Sequence, residues 1–449
     1  MAADPVEETA NKLAAVSTED EVEEGKAYPA KATELVNEDT DNQVELKLDV
    51  SVNAELYHAV STFDDLGLHA DLLKGIYAMG FKKPSKIQEK ALPLLLSNPP
   101  KNIIAQSQSG TGKTAAFVLT MLSRVDPANP ATQAICMAPA RELARQIMDN
   151  VQAMGKYTSV TTGYAIRDAV AKGEKVDAQI VIGTPGTIMD LIKRRQLVTR
   201  DVKILVLDEA DNMLDQQGLG DQSLRVKKLM PPTCQILLFS ATFTDLVRKY
   251  AETFAPKANQ LSLKREELSV EGIKQFYMDC KDAPHKVVIL CSIYNLLTIG
   301  QSIIFVHKRS DADNLAEEMR NQGHVVNVLH GGLDSTARDA VIDGFRDMKF
   351  KVLITTNVIS RGIDISNVSL VINFDLPVDQ SGRADAETYL HRIGRTGRFG
   401  RAGVSINFVH DARSLQTMKE IEEHFGRPIT RVPTDNLMVI EKTLKKIVG

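Results

Sequence analysis

The chain has 449 residues, of which 43% are hydrophobic. One hydrophobic core of usual size does not extend over that length, so two or three domains are expected. No stretch approaches ~18 consecutive apolar residues, which argues against a membrane-spanning helix. Residues 1–8 lack the basic-then-apolar order of a secretory signal.

The net charge of −4 hides an asymmetry. Residues 1–60 carry fifteen acidic and four basic side chains, which leaves 50 basic against 43 acidic in the rest. An acidic tail on a mildly basic body fits a polyanion-binding body whose tail competes for the same surface, or simply a solvated tail. Residues 1–60 are expected to be a largely disordered extension, although the apolar spacing over 44–60 suits a short strand or a helix formed on binding. The four cysteines, Cys136, Cys234, Cys280 and Cys291, form no Cys-x-x-Cys pair. Buried free thiols are therefore expected rather than disulfides or a zinc site, in keeping with a reducing compartment.

From residue 61 to 261, apolar runs at 102–105, 134–138, 179–183, 204–207 and 235–239 alternate with helical patterns, among them 142–154 and 246–254. Short, nearly all-apolar strands between helices predict an α/β fold with a doubly wound parallel sheet covered on both faces. The charged, weakly patterned 262–272 reads as a linker. The alternation resumes over 273–449, with runs at 302–306, 324–329, 351–355, 369–374 and 404–408, a second α/β domain of similar plan.

Directly after the 102–105 run stand Ser107, Gln108, Ser109, Gly110, Thr111, Gly112, Lys113 and Thr114, opening a helix. The glycines let the backbone curl around phosphates with N–H groups inward, Lys113 neutralises β/γ-phosphate oxygens, and the Thr114 hydroxyl ligates Mg²⁺. The 204–207 run delivers Asp208 and Glu209 to the carboxyl end of a buried strand. Asp208 suits the metal side, through water, and Glu209 suits orienting or deprotonating an attacking water. A chance glycine turn, or a strand ending in solvated acids, explains either feature alone but not the pair. Together they predict a nucleoside triphosphatase.

An ordered set of motifs over residues 62–410 surrounds these two. It comprises Phe63, Phe81, Pro84 and Gln88; Pro139, Arg141, Glu142 and Leu143; Gly163; Thr184 and Gly186; Asp208 to Asp211; Ser240 and Thr242; His330 and Arg338; Thr356, Arg361, Gly362 and Asp364; and Tyr389, His391, Arg392, Arg395 and Arg398. With them the chain resembles the DEAD-box RNA helicases of superfamily two. The resemblance implies two tandem RecA-like domains that bind ATP and Mg²⁺ and act on single-stranded RNA. Phe81 would stack on adenine and the Gln88 amide would read its N6/N7 edge. Pro139, Arg141, Glu142, Gly163, Thr184 and Gly186 would line an RNA path that Thr356 and Arg361 continue on the second domain. Gly362 and Asp364 would meet the nucleotide. Asp211, Ser240, Thr242 and His391 would couple nucleotide state to domain closure, and Arg395 and Arg398 would reach across the cleft to the γ-phosphate. Four cationic side chains, His391, Arg392, Arg395 and Arg398, are expected to serve this chemistry rather than the scaffold. Tyr164 departs from the family's glycine pair, Thr187 from its arginine, and Ser335 from its glutamine.

The stretches 77–88, 92–100 and 105–114, the single Gly163 and the long 375–389 segment resemble more narrowly the nuclear-pore mRNA-export branch of that family. That likeness implies an RNA-dependent ATPase that remodels messenger ribonucleoproteins. It would be a monomer without membrane insertion, in cytoplasm and nucleus and concentrated at the cytoplasmic face of the nuclear pore. A nucleoporin scaffold docking on the first domain and an activator that carries inositol hexakisphosphate would be its partners. A translation-initiation-type helicase and a slow-turnover ATP-dependent RNA clamp are the alternatives.

Overall fold

Ile204, Leu205, Val206 and Leu207 are all buried, and they alternate between two apolar layers. Ile204 and Val206 join the cluster around Phe117 and Ile147; Leu205 and Leu207 join the cluster around Ile188 and Phe254. A strand apolar on both faces needs a helical layer on each side. The computed structural model describes residues 44–47, 60–106, 112–171, 173–215, 218–263, 273–296, 299–357, 368–379, 381–396, 403–435, 438 and 440–442, and in it two such sheets are built.

The first sheet comprises β1 (Val44–Lys47), β2 (Ile103–Gln106), β3 (Ala134–Met137), β4 (Thr162–Ala165), β5 (Ile180–Gly183), β6 (Ile204–Leu207), β7 (Gln235–Ser240) and β8 (Asn259–Leu263), in the order β1-β8-β2-β7-β6-β3-β5-β4. All its pairings are parallel except β1 with β8. The second comprises β9 (Ile273–Asp279), β10 (Gln301–Phe305), β11 (Val326–Leu329), β12 (Val352–Thr355), β13 (Val368–Asn373), β14 (Gly403–Val409) and β15 (Thr430–Val432), in the order β11-β12-β10-β13-β14-β9-β15, all parallel. The predicted α/β class with two parallel sheets is therefore what forms. The fully apolar runs became the central strands.

Of the two forms open to 44–60, residues 44–47 take the strand. Val44 stands opposite Leu263 and Lys47 opposite Gln260, so β1 covers the outer edge of β8. β8 itself takes in residues 262 and 263, the first two of the predicted linker, so the strand runs further than the expected boundary at 262. Residues 264–272 lie outside the described residues, as do 1–43 and 48–59 with the disorder expected there. All four cysteines are buried and free. Burial pushes the Cys234 and Cys280 thiols up to about 12, which keeps them protonated and unreactive. Among the described residues no helix is long and apolar enough to cross a membrane.

The topology places chemistry at one edge. β7 lies between β2 and β6, and all three run parallel. The described residues that follow β6 and β7, Asp208–Asp211 and Ala241–Thr242, thus leave the sheet side by side at its carboxyl end, next to the exit of β2.

Candidate active site

Gly112 has φ +94° and caps the Lys113–Arg124 helix. A Cβ there would lie 2.6 Å from Gln88 Nε2, so the left-handed turn and the close approach both demand glycine. Gln88, on the Lys86–Leu95 helix, is buried, and its two amide atoms are engaged. The Ser85 N–H donates to Oε1 at 2.9 Å, and Nε2 donates to the Gly112 carbonyl at 3.0 Å. The predicted adenine reader is thereby tied to the phosphate loop. Phe81 is half-buried against the apolar cluster on that face. Lys113 is buried and Thr114 half-buried at the helix start. Ser107, Gln108, Ser109, Gly110 and Thr111 lie outside the described residues.

Three carboxylates crowd the exit of β6. Asp208 is buried, and its Oδ1 accepts the Glu209 N–H at 3.0 Å. Burial raises its carboxyl above the usual range; the Lys113 ammonium and the Glu209 amide pull the other way, and Asp211 adds to the rise. Glu209 has φ +52°, a left-handed conformation uncommon for a residue with a Cβ and costing on the order of 1–3 kcal/mol. Burial, and then the Asp208 and Asp211 charges, push its carboxyl up to about 7, while Lys113 and Arg395 hold it back. Asn212 Nδ2 donates to Glu209 Oε2 at 3.2 Å and fixes the side chain. Asp211 Oδ2 accepts from the Ala241 N–H at 3.1 Å, the Thr242 N–H at 3.0 Å and Thr242 Oγ1 at 3.1 Å, while Ser240 Oγ accepts the Asp211 N–H at 3.2 Å. Asp211 therefore ties the segment after β6 to the Ser240–Thr242 segment at the end of β7.

Mutually repelling carboxylates beside a buried lysine suit a hard divalent cation. Among the described residues no group of three or more His, Cys, Asp or Glu side chains forms a cation cage. A Mg²⁺ ion on a triphosphate ordinarily keeps several waters and takes only one or two carboxylates, a role for which the buried Asp208 carboxylate is chemically suited.

The second lobe brings Arg395, only 3% exposed, close enough for its charge to act on Glu209. His391 is half-buried in the last turn of the Ala386–Ile393 helix. Arg392 corrects an expectation: it is scaffold. Fully buried, it bonds Asn357 Oδ1 through Nε at 3.1 Å and Nη2 at 2.5 Å, and its Nη1 bonds Asn373 Oδ1 at 3.0 Å and the Asp375 carbonyl at 2.7 Å. The guanidinium also stacks 4.8 Å from the Phe305 ring centroid. Burial lowers its pKa to about 9 against the pull of Asp375 and Asp385. Arg392→Met would strand four acceptor contacts and is expected to lower second-lobe stability by roughly 3 kcal/mol or more. Urea unfolding followed by circular dichroism measures this. An unchanged midpoint with lost turnover would return Arg392 to the chemistry. Arg361, Gly362, Asp364 and Arg398 lie outside the described residues. Thr356 is buried at the exit of β12.

Several residues predicted to line an RNA path also have structural partners. Arg141 Nη2 meets Asp339 Oδ2 at 2.8 Å, and Glu142 Oε1 meets Arg338 Nη2 at 2.5 Å, so both join the two lobes. Pro139 is buried just past β3. Gly163 lies in β4, where a Cβ would come 2.9 Å from the Ala178 Cβ. Gly186 stands against Gln222, and Thr184 Oγ1 donates to Thr187 Oγ1 at 3.2 Å. Sequence reasoning missed Asn212 and the charged side chains Arg145, Asp149, Asp339, Asp343 and Arg346. On a helix such residues look like a solvated face.

Two family descriptions match the chain: DEAD/DEAH box helicase over residues 85–250 and helicase conserved C-terminal domain over residues 285–400. The ATP-dependent RNA helicase dbp5 of Schizosaccharomyces pombe is 64% identical over 407 residues, 90% of this chain and 81% of that one. S. cerevisiae Dbp5 bound to RNA and ADP BeF3 is 55% identical and superposes with a TM-score of 0.82 over 87% of this chain and 100% of that one. A point variant of the same yeast protein bound to Nup159, a Gle1 variant, IP6 and ADP is 53% identical, with a TM-score of 0.62 over 85% of this chain and 100% of that one. The present chain thus superposes better on the RNA-bound form than on the ADP-bound one.

Proposed function

The chain belongs to the DEAD/DEAH box helicase family and is an ATP-dependent RNA helicase; we propose that it hydrolyses ATP between its lobes while gripping single-stranded RNA, and that it remodels messenger ribonucleoproteins in nuclear mRNA export. The observations that carry this reading are the buried Lys113, Asp208 and Asp211 of the first lobe and the interlobe pairs Arg141–Asp339 and Glu142–Arg338, which set the second lobe, with its buried Arg395, against it.

In this reading the loop from residue 107 to Thr114 and Lys113 hold the phosphates, with Phe81 and Gln88 holding the base. Thr114 and Asp208, the latter through water, would hold Mg²⁺, which would supply charge neutralisation at the transferring phosphoryl group. Glu209 accepts the proton of the attacking water. Its carboxyl near 7 is in the range where a base is half-ready at neutral pH, and Arg395 lowers it. In this reading Arg395, across the interlobe contact, favours the carboxylate form of Glu209. Arg395 and Arg398 stabilise the charge that develops on the phosphoryl oxygens. Asp211, Ser240, Thr242 and His391 relay the closed state to this centre. RNA is held by Pro139, Arg141, Glu142, Gly163, Thr184 and Gly186 on the first lobe, and by Thr356 and Arg361 on the second. Contacts of this kind, made to phosphates and sugars, carry no sequence readout. Both ligands favour closure, so each tightens the other.

The partners in this proposal are a nucleoporin scaffold and an inositol-hexakisphosphate-dependent activator, at the cytoplasmic face of the nuclear pore. The complexes of yeast Dbp5 with Nup159, Gle1 and IP6 support it. Phosphate release from ATP or GTP, with RNA or with DNA of the same sequence, tests the core reading. ATP with RNA is expected to exceed every other combination by at least about tenfold; equal rates with GTP and DNA would overturn it.

A further inference from the structure

We propose that Tyr164, Arg145 and Asp149 of the first lobe and Asp339, Asp343 and Arg346 of the second form a closure latch, outside the ATP and RNA sites, that sets how readily the enzyme engages RNA. The proposal rests on the reading of the chain as an RNA-stimulated ATPase. Arg145 lies on the Arg141–Met154 helix and reaches the Ser335–Arg346 helix with both ends of its fork. Nη1 meets Asp339 Oδ1 at 2.8 Å and Nη2 meets Asp343 Oδ2 at 3.1 Å. One turn further along, Arg346 Nη1 stands 3.7 Å from Asp149 Oδ2. The signs are crossed, since each helix supplies both an arginine and an aspartate. Sliding one helix by a turn would set like charges together, so the latch defines one register of closure.

Tyr164 explains its own departure from the family's second glycine. It extends from β4, packs against the first-lobe apolar cluster and places its hydroxyl within reach of the Arg145 charge. A glycine there would leave the Arg145 fork without that support. Burial pulls the Arg145 pKa down, but the Asp343 and Asp339 carboxylates more than offset this. The pairs are partly exposed, with Arg145 at 27% and Asp343 at 46%. Each is therefore weak alone and screened by salt.

A latch acts by raising the fraction of molecules already closed, and apparent RNA affinity scales with that fraction. Asp343→Asn is expected to raise the RNA concentration for half-maximal ATPase about threefold and Arg145→Gln about tenfold. Tyr164→Phe should fall between parent and Arg145→Gln. Turnover at saturating RNA and the melting of the free protein should not change, and the differences should shrink in 0.5 M salt. The double variant Arg145→Gln/Asp343→Asn should be no worse than Arg145→Gln alone, since the two act through one contact. If Arg145 instead gripped RNA phosphates directly, removing the Asp343 charge would tighten RNA binding. A lower half-maximal concentration for Asp343→Asn, or additive penalties in the double variant, would overturn the latch. Fluorophores on the two lobes give a readout independent of RNA stimulation: Arg145→Gln should lengthen the mean interlobe distance with an ATP analogue bound, and an unchanged distance would also overturn the proposal.

Discussion

Glu209→Gln is expected to lower RNA-stimulated ATP turnover by about 10²- to 10⁴-fold, the range assigned to a positioned general base, while ATP- and RNA-dependent closing persists. The amide keeps the shape and the Asn212 contact but cannot take a proton. Fluorescence anisotropy of labelled RNA should show the variant retaining RNA with ATP for much longer than the parent, because the event that opens the lobes no longer occurs. Turnover within tenfold of the parent would remove Glu209 from its role. The same substitution has an opposite effect on stability. The Glu209 carboxyl lies at about 7 in the fold against an ordinary value of 4.5. The folded state therefore binds the proton more tightly. The stability this gives is fully present below pH 4.5 and is lost as pH rises through 7. Glu209 is half-buried rather than buried, so the loss is on the order of 1 kcal/mol rather than the full value of the shift. At pH 8 the glutamine variant should melt above the parent, and at pH 4.5 the two should melt together. Together with the left-handed backbone at this residue, a stabilised, inactive variant would mark Glu209 as a site where the fold gives up stability for chemistry.

How much of this was legible follows from burial. The run of Ile204 to Leu207 is apolar at every position, and so are most of the runs that became central strands; a strand covered on both faces has no other way to look. β4 was missed because only Ala165 of its four residues is buried, and β9 because its burial alternates along an incompletely covered strand. The glycine at the Lys113–Arg124 helix start and the acids after β6 could be read from sequence because each is a few residues delivered by one strand. Arg392 was misread because an arginine in a basic cluster suggests a ligand, and nothing local shows that Asn357, Asn373 and the Asp375 carbonyl enclose it. Arg141 and Arg145 find Asp339 and Asp343 198 residues away. A pairing at that separation exists only once two domains close, and no spacing along one helix encodes it.

Arg395→Ala should show whether the two lobes share one catalytic centre. Its expected effect is a fall in turnover of about 10³- to 10⁵-fold, the range for an arginine supplied across an interface in phosphoryl transfer, with nucleotide-free RNA binding unaltered. Arg395→Lys should recover only part of the loss, because an ammonium keeps the charge but not the planar fork that spans two phosphoryl oxygens. Loss of rate alone would not separate a direct role from a disturbed fold, since Arg395 is nearly buried. The pH profile does. Arg395 is one of the two charges that hold the Glu209 carboxyl down, with Lys113 the other. Its removal must therefore raise that carboxyl, and the acid limb of the turnover profile must move to higher pH. A misfolded second lobe would scale the whole profile down without moving it. Arg395→Lys, which keeps a positive charge near Glu209, should show a smaller displacement than Arg395→Ala. A profile of unchanged shape, or a loss below tenfold, would mean that Arg395 does not complete the site and that closure serves only to bind RNA.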